Sequence, residues 1–189
     1  MSNKTVRSPY DFYPTPVDCT QKILSLLWIH DFNPDYVFEP CAGDGAIVEI
    51  LRQYYPNAFI VANEIDEVHK PQLELAGWNH MTFKDILEIP TENFQNYNLI
   101  ITNPPFSLTQ EIIDHILVGV RNSVNKPVVI MLLRLNFLGS QKRQEHLPIS
   151  VQVLSKRPSF TGKGTDSQEY AWFIWDYGNR LCLPPIGIL

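Results

Sequence analysis

The sequence predicts an α/β fold built on a mostly parallel sheet, and three features predict it. Apolar runs of strand length alternate four times with stretches of helical periodicity, the pattern of strand–helix–strand units. Two of those runs, Leu99 to Thr102 and Lys126 to Leu133 (KPVVIMLL), are apolar without alternation, as strands covered on both faces must be. Polar or glycine-bearing tips follow four runs at Gly43, Glu64, Asp85 and Asn103, and in such sheets ligands bind beyond the carboxyl ends of the strands.

In chain order, residues 1–9 are polar and expected to fray. Tyr10 to Pro16 (YDFYPTP) is too proline-rich for helix and either packs on the next element or covers a ligand. Thr15 is read as an N-cap and Pro16 as the first residue of an amphipathic helix reaching Ile29, with Ile23, Leu24, Leu26 and Leu27 on its apolar face. Tyr36 to Phe38 is a short strand. The turn Glu39 to Ala46 (EPCAGDGA) then leads into a helix over Ile47 to Tyr54, and its small residues let a ligand approach the backbone closely.

Ala58 to Ala62 reads as the second strand. Glu64 stands 21 positions after Gly43 (64 − 43), near the spacing at which an acid ending the second strand reaches a ribose hydroxyl. Asp66 is read as a cap for a helix over roughly Val68 to Leu75 that stops at Gly77. Met81 to Phe83 is a third strand, with Asp85 just past it.

The fourth strand ends in Asn103-Pro104-Pro105-Phe106. Two prolines with fixed φ and no N–H stop the ladder, and Asn103, preceding a proline, is pushed out of the helical region. A proline-rich turn closing a strand is one account of that tripeptide. The other is chemical: the Asn amide and the following carbonyl are acceptors suited to an exocyclic amino group, and Phe106 offers a flat face to a ring. Thr109 to Gly119 follows as a helix, then the strand at 126–133, a short polar helix over Gly139 to His146, and strands at Val151 to Leu154 and Glu169 to Trp175, the last two an apparent terminal hairpin. Seven strands result, with no internal repeat and no linker dividing residues 1–189, which are expected to be a single domain.

Composition narrows the function classes. Three cysteines (Cys19, Cys41, Cys182) without C-x-x-C indicate neither a disulfide framework nor a zinc site, and five scattered histidines have no metal-ligand spacing. No signal-like or membrane-spanning run is present, so a reducing cytoplasm is the expected location. The net charge of −5 argues against coating of nucleic acid by bulk charge. Residues 134–163 are the exception: Arg134, Lys142, Arg143, Lys156, Arg157 and Lys163 stand against Glu145 alone, giving 6 − 1 = +5, which is either a solvated basic face or a phosphate-tracking surface.

The ordered motifs Y-P-T-P (13–16), F-E-P-C-A-G-D-G (38–45), N-E-I-D (63–66), Asp85 and N-P-P-F (103–106), with the tail R-P-S-F…E-Y-A-W-F, resemble those of S-adenosylmethionine-dependent amino-methyltransferases. The likeness is strongest to small, phage-type DNA adenine-N6 methyltransferases and covers nearly the whole chain. It implies a Rossmann-like class I methyltransferase fold: a mostly parallel seven-stranded sheet, helices on both faces and an antiparallel terminal hairpin. It also implies a monomer without a separate target-recognition domain, acting on DNA rather than at a membrane, in the host cytoplasm if phage-encoded.

The resemblance also implies roles. Tyr13, Pro14 and Thr15 would cover the methionine end of the cofactor, Gly43 and Gly45 pass beneath it, and Glu39 lie near its amino group; Glu39 alternatively caps the turn. Glu64 would hold the ribose hydroxyls and Asp85 the cofactor's adenine amino group, although Asp85 is also placed to cap the next helix. Asn103 and the Pro104 carbonyl would accept the N–H groups of the target amine, with Pro105 rigidifying the tip and Phe106 stacking on the base. The target must then be flipped or unpaired, and Phe160, flanked by Lys156, Arg157 and Lys163, resembles the second aromatic that closes over it; an ordinary turn-packing ring is the alternative. No metal is required.

Other substrates fit N-P-P-[FY]: protein glutamine or an RNA guanine. Protein-glutamine enzymes of this kind carry an N-terminal helical domain that about 35 residues before the first strand do not supply, and cytosine-N4 enzymes usually replace this Asn by Ser or Asp. A non-catalytic nucleotide-binding module would leave the N-P-P-F tip without a purpose.

Overall fold

Leu99–Thr102 forms a strand with no exposed position, because β-branched and apolar side chains fill both sides of its pleat. In the computed structural model, which describes residues 11–139, 141–162 and 164–189 with the exception of the Lys142 side chain, this strand lies at the middle of the sheet. The elements are α1 (Val17–Ile29), β1 (Tyr36–Glu39), α2 (Ala46–Tyr54), β2 (Phe59–Glu64), α3 (Lys70–Leu73), β3 (His80–Phe83), β4 (Leu99–Thr102), α4 (Thr109–Val120), β5 (Val128–Arg134), β6 (Ser150–Val153), β7 (Tyr170–Trp175) and β8 (Ile186–Ile188). Residues 1–9, Tyr10 and Lys163 lie outside the described residues.

The strands run in the order β3-β2-β1-β4-β5-β7-β6-β8. The first five in sequence are mutually parallel, β7 is antiparallel to both β5 and β6, and β8 is parallel to β6. Strand order reverses between β1 and β4, which opens a crevice at their carboxyl ends. The period-two pleat divides the core. Leu99, Ile101, Val128, Ile130, Leu132, Trp172 and Ile174 pack with α1 and α2. Ile100, Val129, Met131, Leu133, Phe173 and Trp175 face the other way, against Ile112, Ile113, Ile116 and Leu117 of α4. Trp172 Nε1 donates to the Cys19 carbonyl at 3.0 Å and so ties α1 to the sheet.

The Rossmann-like expectation holds with one additional strand. β8 was missing from the seven expected because Ile-Gly-Ile after two prolines reads as a turn; Gly187 admits it beside β6, since a Cβ there would stand 2.0 Å from Gln152 Oε1. The hairpin of β6 and β7 is therefore not terminal. Three local expectations also change. Pro16, not Thr15, is the N-cap of α1. The helix expected over 68–75 is a 3₁₀ turn at Glu67–His69 running into the short α3, and the polar helix expected over 139–146 is a 3₁₀ turn at Gln141–His146 that follows another at Leu135–Gly139. No helix among the described residues is long and apolar enough to cross a membrane.

Gly119 gives a test of the packing on the α4 side. A Cβ there would sit 2.0 Å from the Thr91 carbonyl oxygen, a backbone atom that cannot swing aside. Gly119→Ala should lower stability by about 1–3 kcal/mol despite the better helix propensity of alanine. A urea midpoint equal to the parent's would show that the 91–96 turn yields freely.

Candidate active site at the strand tips

The carboxyl ends of β1, β2 and β3 are held together by Asn63. Its Nδ2 donates to the carbonyls of Pro40 and Lys84, both at 3.0 Å, and its Oδ1 accepts from Thr82 Oγ1 at 2.7 Å. Beyond these tips lies a cavity of about 230 Å³ lined by Tyr13, Pro14, Thr15, Gly43, Glu64, Asp85 and the 103–106 tip, together with residues that the motifs did not single out. Ten of the expected site residues thus converge: the three of the Tyr13–Thr15 segment, Gly43, Glu64, Asp85 and the four of the tip.

The glycine turn is fixed by the acid that follows it 21 residues later. Glu64 Oε2 accepts from Gly43 N at 2.6 Å, and its Oε1 accepts from the N–H groups of Ile65 and Asp66, both at 2.9 Å. Gly43 has φ +53°, and a Cβ on it would stand 2.5 Å from Phe12 Cε2, so only glycine lets the 11–15 segment lie across the turn. Gly45 differs: it N-caps α2 at φ +92° and faces Ala76, where a Cβ would come within 2.6 Å, rather than the cavity. Asp85 Oδ1 accepts from Leu87 N at 2.9 Å, so it caps the following 3₁₀ turn and lines the cavity at once. Asp66 caps as expected, accepting from Val68 N.

Among the described residues the wall carries five carboxylates, Asp11, Asp44, Glu64, Asp66 and Asp85, against Lys84 as its one lysine or arginine. Such a crevice favours a cationic ligand and disfavours a pyrophosphate.

At the fourth tip, both protons of the Asn103 amide are committed. Nδ2 donates to Thr15 Oγ1 at 3.0 Å and to the Tyr13 carbonyl at 3.2 Å, while Oδ1 is buried with no partner. The Pro105 carbonyl is taken by Leu108 N and Thr109 Oγ1 at the start of α4. Asp11 Oδ2 accepts from Ser107 N at 3.1 Å, which joins the other end of the 11–15 segment to the same tip.

Phe106 lies among this chain's own side chains. Tyr13 stacks on it at 5.4 Å between centroids and 26°, and the Arg134 guanidinium stands 4.3 Å from its centroid, so a planar ligand reaching the Tyr13 side displaces that ring. Arg134 also donates to Tyr170 Oη at 3.0 Å. Its place could have been suspected from a single signal, a cation ending an otherwise apolar strand. Phe160 is not an exposed loop tip: it is buried, edge-on to Tyr170 at 5.1 Å and to Phe106 at 6.4 Å, and does not reach the cavity wall. Arg157 donates to Glu169 through Nε at 3.0 Å and through Nη2, so the positive stretch is partly neutralised by an acid just outside it in sequence. Lys156 is exposed, Arg143 stands 4.2 Å from the Phe137 ring centroid, and neither Lys156 nor Arg157 lines the cavity.

Glu39 is fully buried and does not line the cavity. Oε1 accepts from Cys41 N at 3.3 Å, which is the turn-capping arrangement, and the Thr102 side chain lies beside the carboxyl. Burial above all pushes its carboxyl up to about 8, with the Glu64 charge adding to the shift and the Thr102 and Cys41 contacts opposing it. The Cys41 thiol is held well above its usual range by burial and by Glu39 and Glu64, so it is a neutral packing group and not a nucleophile.

No family model matches the sequence. Among curated proteins it is similar to the type II methyltransferase M.CvrRI of Paramecium bursaria Chlorella virus XZ-6E, at 29% identity over 104 residues, or 55% of this chain; the match spans about a quarter (26%) of the viral protein's length. The fold is similar to that of PH1948 from Pyrococcus horikoshii, assigned as an RNA methyltransferase, at 17% identity over 90% of each chain with a TM-score of 0.64. It is also similar to a modification subunit assigned to a type I restriction enzyme of Vibrio vulnificus YJ016, at 12% identity over 88% of this chain and 45% of that one, TM-score 0.59. The plantazolicin methyltransferase BpumL, solved with SAH, aligns at 14% identity over 65% of this chain and 48% of its own, TM-score 0.50. These likenesses establish the Rossmann-like fold of methyltransferases.

The buried carboxyl of Glu39 predicts a pH signature. Its folded value of about 8 lies above the ordinary 4.5, so the folded chain keeps a proton that the unfolded chain releases. Stability from this group is complete below pH 4.5, falls by about 1.4 kcal/mol per unit as pH rises towards 8, and levels off above. Glu39→Gln, neutral throughout, should flatten that slope in urea unfolding measured from pH 5 to 8; equal slopes for variant and parent would contradict a buried, protonated Glu39.

Proposed function

We propose that the chain transfers a methyl group from S-adenosylmethionine to the N6 amino group of adenine in DNA, acting as a monomer on a flipped or unpaired base. The observation that carries this reading is Asn103: both amide protons are anchored, and the unpartnered Oδ1 is left as an acceptor at the tip of β4. A buried acceptor without a donor is costly, about 1–3 kcal/mol, and an incoming N–H removes that cost.

The residues present fit the cofactor. An acidic wall suits a ligand bearing a sulfonium and an ammonium, and the left-handed Gly43 turn admits a flat group close to its backbone, as the Phe12 ring lying across it shows. Gly43, Glu64 and Asp85 would hold it, under the cover of Tyr13, Pro14 and Thr15. When bound, the cofactor supplies an activated methyl group. Glu64 keeps lone pairs beyond those given to the backbone, since an ionised carboxylate offers about four acceptor sites. Glu39 and Gly45 contribute from behind the turn, by capping and by close packing.

On the substrate side, the N6 lone pair of adenine is delocalised into the ring and poorly nucleophilic. Asn103 Oδ1 and the Pro104 carbonyl would accept its two N–H groups and favour a pyramidal nitrogen, an orienting and electrostatic effect. Phe106 would stack on the base once the Tyr13 ring has turned aside, its backbone carbonyl staying on Asn103, with Phe160 and Arg134 supporting the Phe106 ring from its edge and side. Base extrusion follows from the need to reach an atom inside a duplex. Phosphate contacts fall to Lys156 and the neighbouring loop, including Arg157 and Lys163. The match to a viral type II methyltransferase supports methyl transfer as the reaction, and the substrate is decided by the labelling experiment that follows.

With labelled cofactor and a panel of DNA, RNA and protein, digestion should yield N6-methyladenine from DNA. Asn103→Ala should cut transfer by about a hundredfold or more with cofactor affinity nearly unchanged, whereas Glu64→Ala should weaken calorimetric cofactor binding by about 1–3 kcal/mol. Recovery of N4-methylcytosine alone, or label only in RNA or protein, would overturn the substrate assignment. Affinity against salt tests the loop. Lys156→Ala should reduce the slope by nearly one unit, and Arg157→Ala by less because Glu169 already holds it. A parental slope for Lys156→Ala would move the DNA elsewhere.

A further inference from the structure

We infer that the Tyr13–Thr15 segment is a positioning device for Asn103: it selects asparagine at this tip and decides which way the amide points. The acceptor role of Asn103 is that of the reading above; the control of that role by residues about 90 positions away is new. Three observations carry it. Nδ2 has two proton acceptors, Thr15 Oγ1 at 3.0 Å and the Tyr13 carbonyl at 3.2 Å. Thr15 is itself buried, 6% exposed, so neither its hydroxyl nor the amide exchanges these bonds freely for water. Oδ1 has no partner.

The chemistry of the two anchors settles the direction. A backbone carbonyl only accepts, so an amide turned through 180° would set Oδ1 against the Tyr13 oxygen and leave both N–H groups without these partners. Thr15 alone would tolerate either orientation, because a hydroxyl donates as well as accepts. The Tyr13 carbonyl therefore sets the orientation, and Thr15 removes the remaining freedom of the amide plane by taking the second proton.

A consequence follows for the residue at position 103. If an acceptor oxygen were the whole requirement, aspartate would serve at least as well, being the stronger acceptor. In this chain a carboxylate would put an oxygen against the Tyr13 carbonyl with no proton between them. Asparagine is thus demanded by the segment above the tip as much as by the substrate. The same segment is tied to the tip through Asp11 and Ser107 and lies over Gly43 through Phe12, so displacing it from the cavity also frees the amide. Asn103 is fully oriented only with the segment seated.

The test combines kinetics with a spectroscopic readout on the full chain. Thr15→Val should lower kcat for methyl transfer about ten- to a hundredfold, as expected for loss of a buried hydrogen bond to an oriented group, with DNA KM within about twofold of the parent and any fall in cofactor affinity, from loss of the Thr15 cover, smaller than the fall in kcat. Thr15→Ser should restore most of kcat, and Asn103→Asp should be impaired at least as strongly as Thr15→Val. In the ligand-free parent, the two Nδ2 protons of Asn103, assigned by their loss in Asn103→Asp, should both exchange slowly by nitrogen-15 NMR, and one should become fast in Thr15→Val. This readout needs no substrate and no activity, so slow exchange with no transfer to DNA would overturn the substrate reading and leave the anchoring intact. Parental kcat in Thr15→Val, a loss confined to cofactor affinity, an Asn103→Asp variant as active as the parent, or fast exchange of both protons in the parent would each overturn the inference.

Discussion

A strand covered on both faces has no polar position along its length, and this constraint shapes the molecule. β4 and most of β5 and β7 are fully buried, so side chains able to do chemistry appear only where those strands end. The strand tips then need polar ties of their own. Asn63 spends its amide protons on two carbonyls and its oxygen on Thr82, and at the opposite end of the sheet Asn98 Oδ1 accepts from the N–H groups of Asp35 and Tyr36. Each asparagine fastens neighbouring chain segments where the ladder gives out. Asn103 is the one of the three whose oxygen remains free.

Charge divides the surface by task. Five carboxylates line the cavity, and each accepts from at least one backbone N–H group and so keeps its position without a bound cation. The three arginines of 134–163 lie off the cavity and are individually engaged: Arg134 on Phe106 and Tyr170, Arg143 on Phe137, Arg157 on Glu169. Arg134 belongs to both regions, since it ends β5 and flanks the ring of the N-P-P-F tip.

The buried Glu39 belongs to the turn and not to the crevice. Burial is the main cause that raises its carboxyl value, and the nearby Glu64 charge adds to it.

Much of the fold and part of the site were legible in the sequence, because they depend on local spacing. Continuous apolar runs identified β4 and β5, period and glycine marked the first turn, and the 21-residue interval linked Gly43 to Glu64, which the structure joins by a hydrogen bond. Asp66 and Asp85 cap as their positions before short turns imply. β8 escaped because its strand character comes from Gln152 and β6 and not from its own three residues. Thr15 looked like an N-cap since a hydroxyl before a proline has that local use; only the folded chain brings it to an amide 88 residues away, and a buried donor outcompetes a cap that Pro16 does not need. Phe160 was open between a ring that closes over a base and a turn-packing ring, and Arg157 between a phosphate contact and a solvated face; the structure buries the first and pairs the second with Glu169, because the sequence lists charges and rings while the tertiary structure decides their neighbours. Composition and spacing determined which groups stand at the strand ends; the direction in which Asn103 presents its oxygen was decided by long-range hydrogen bonds, which no local pattern encodes.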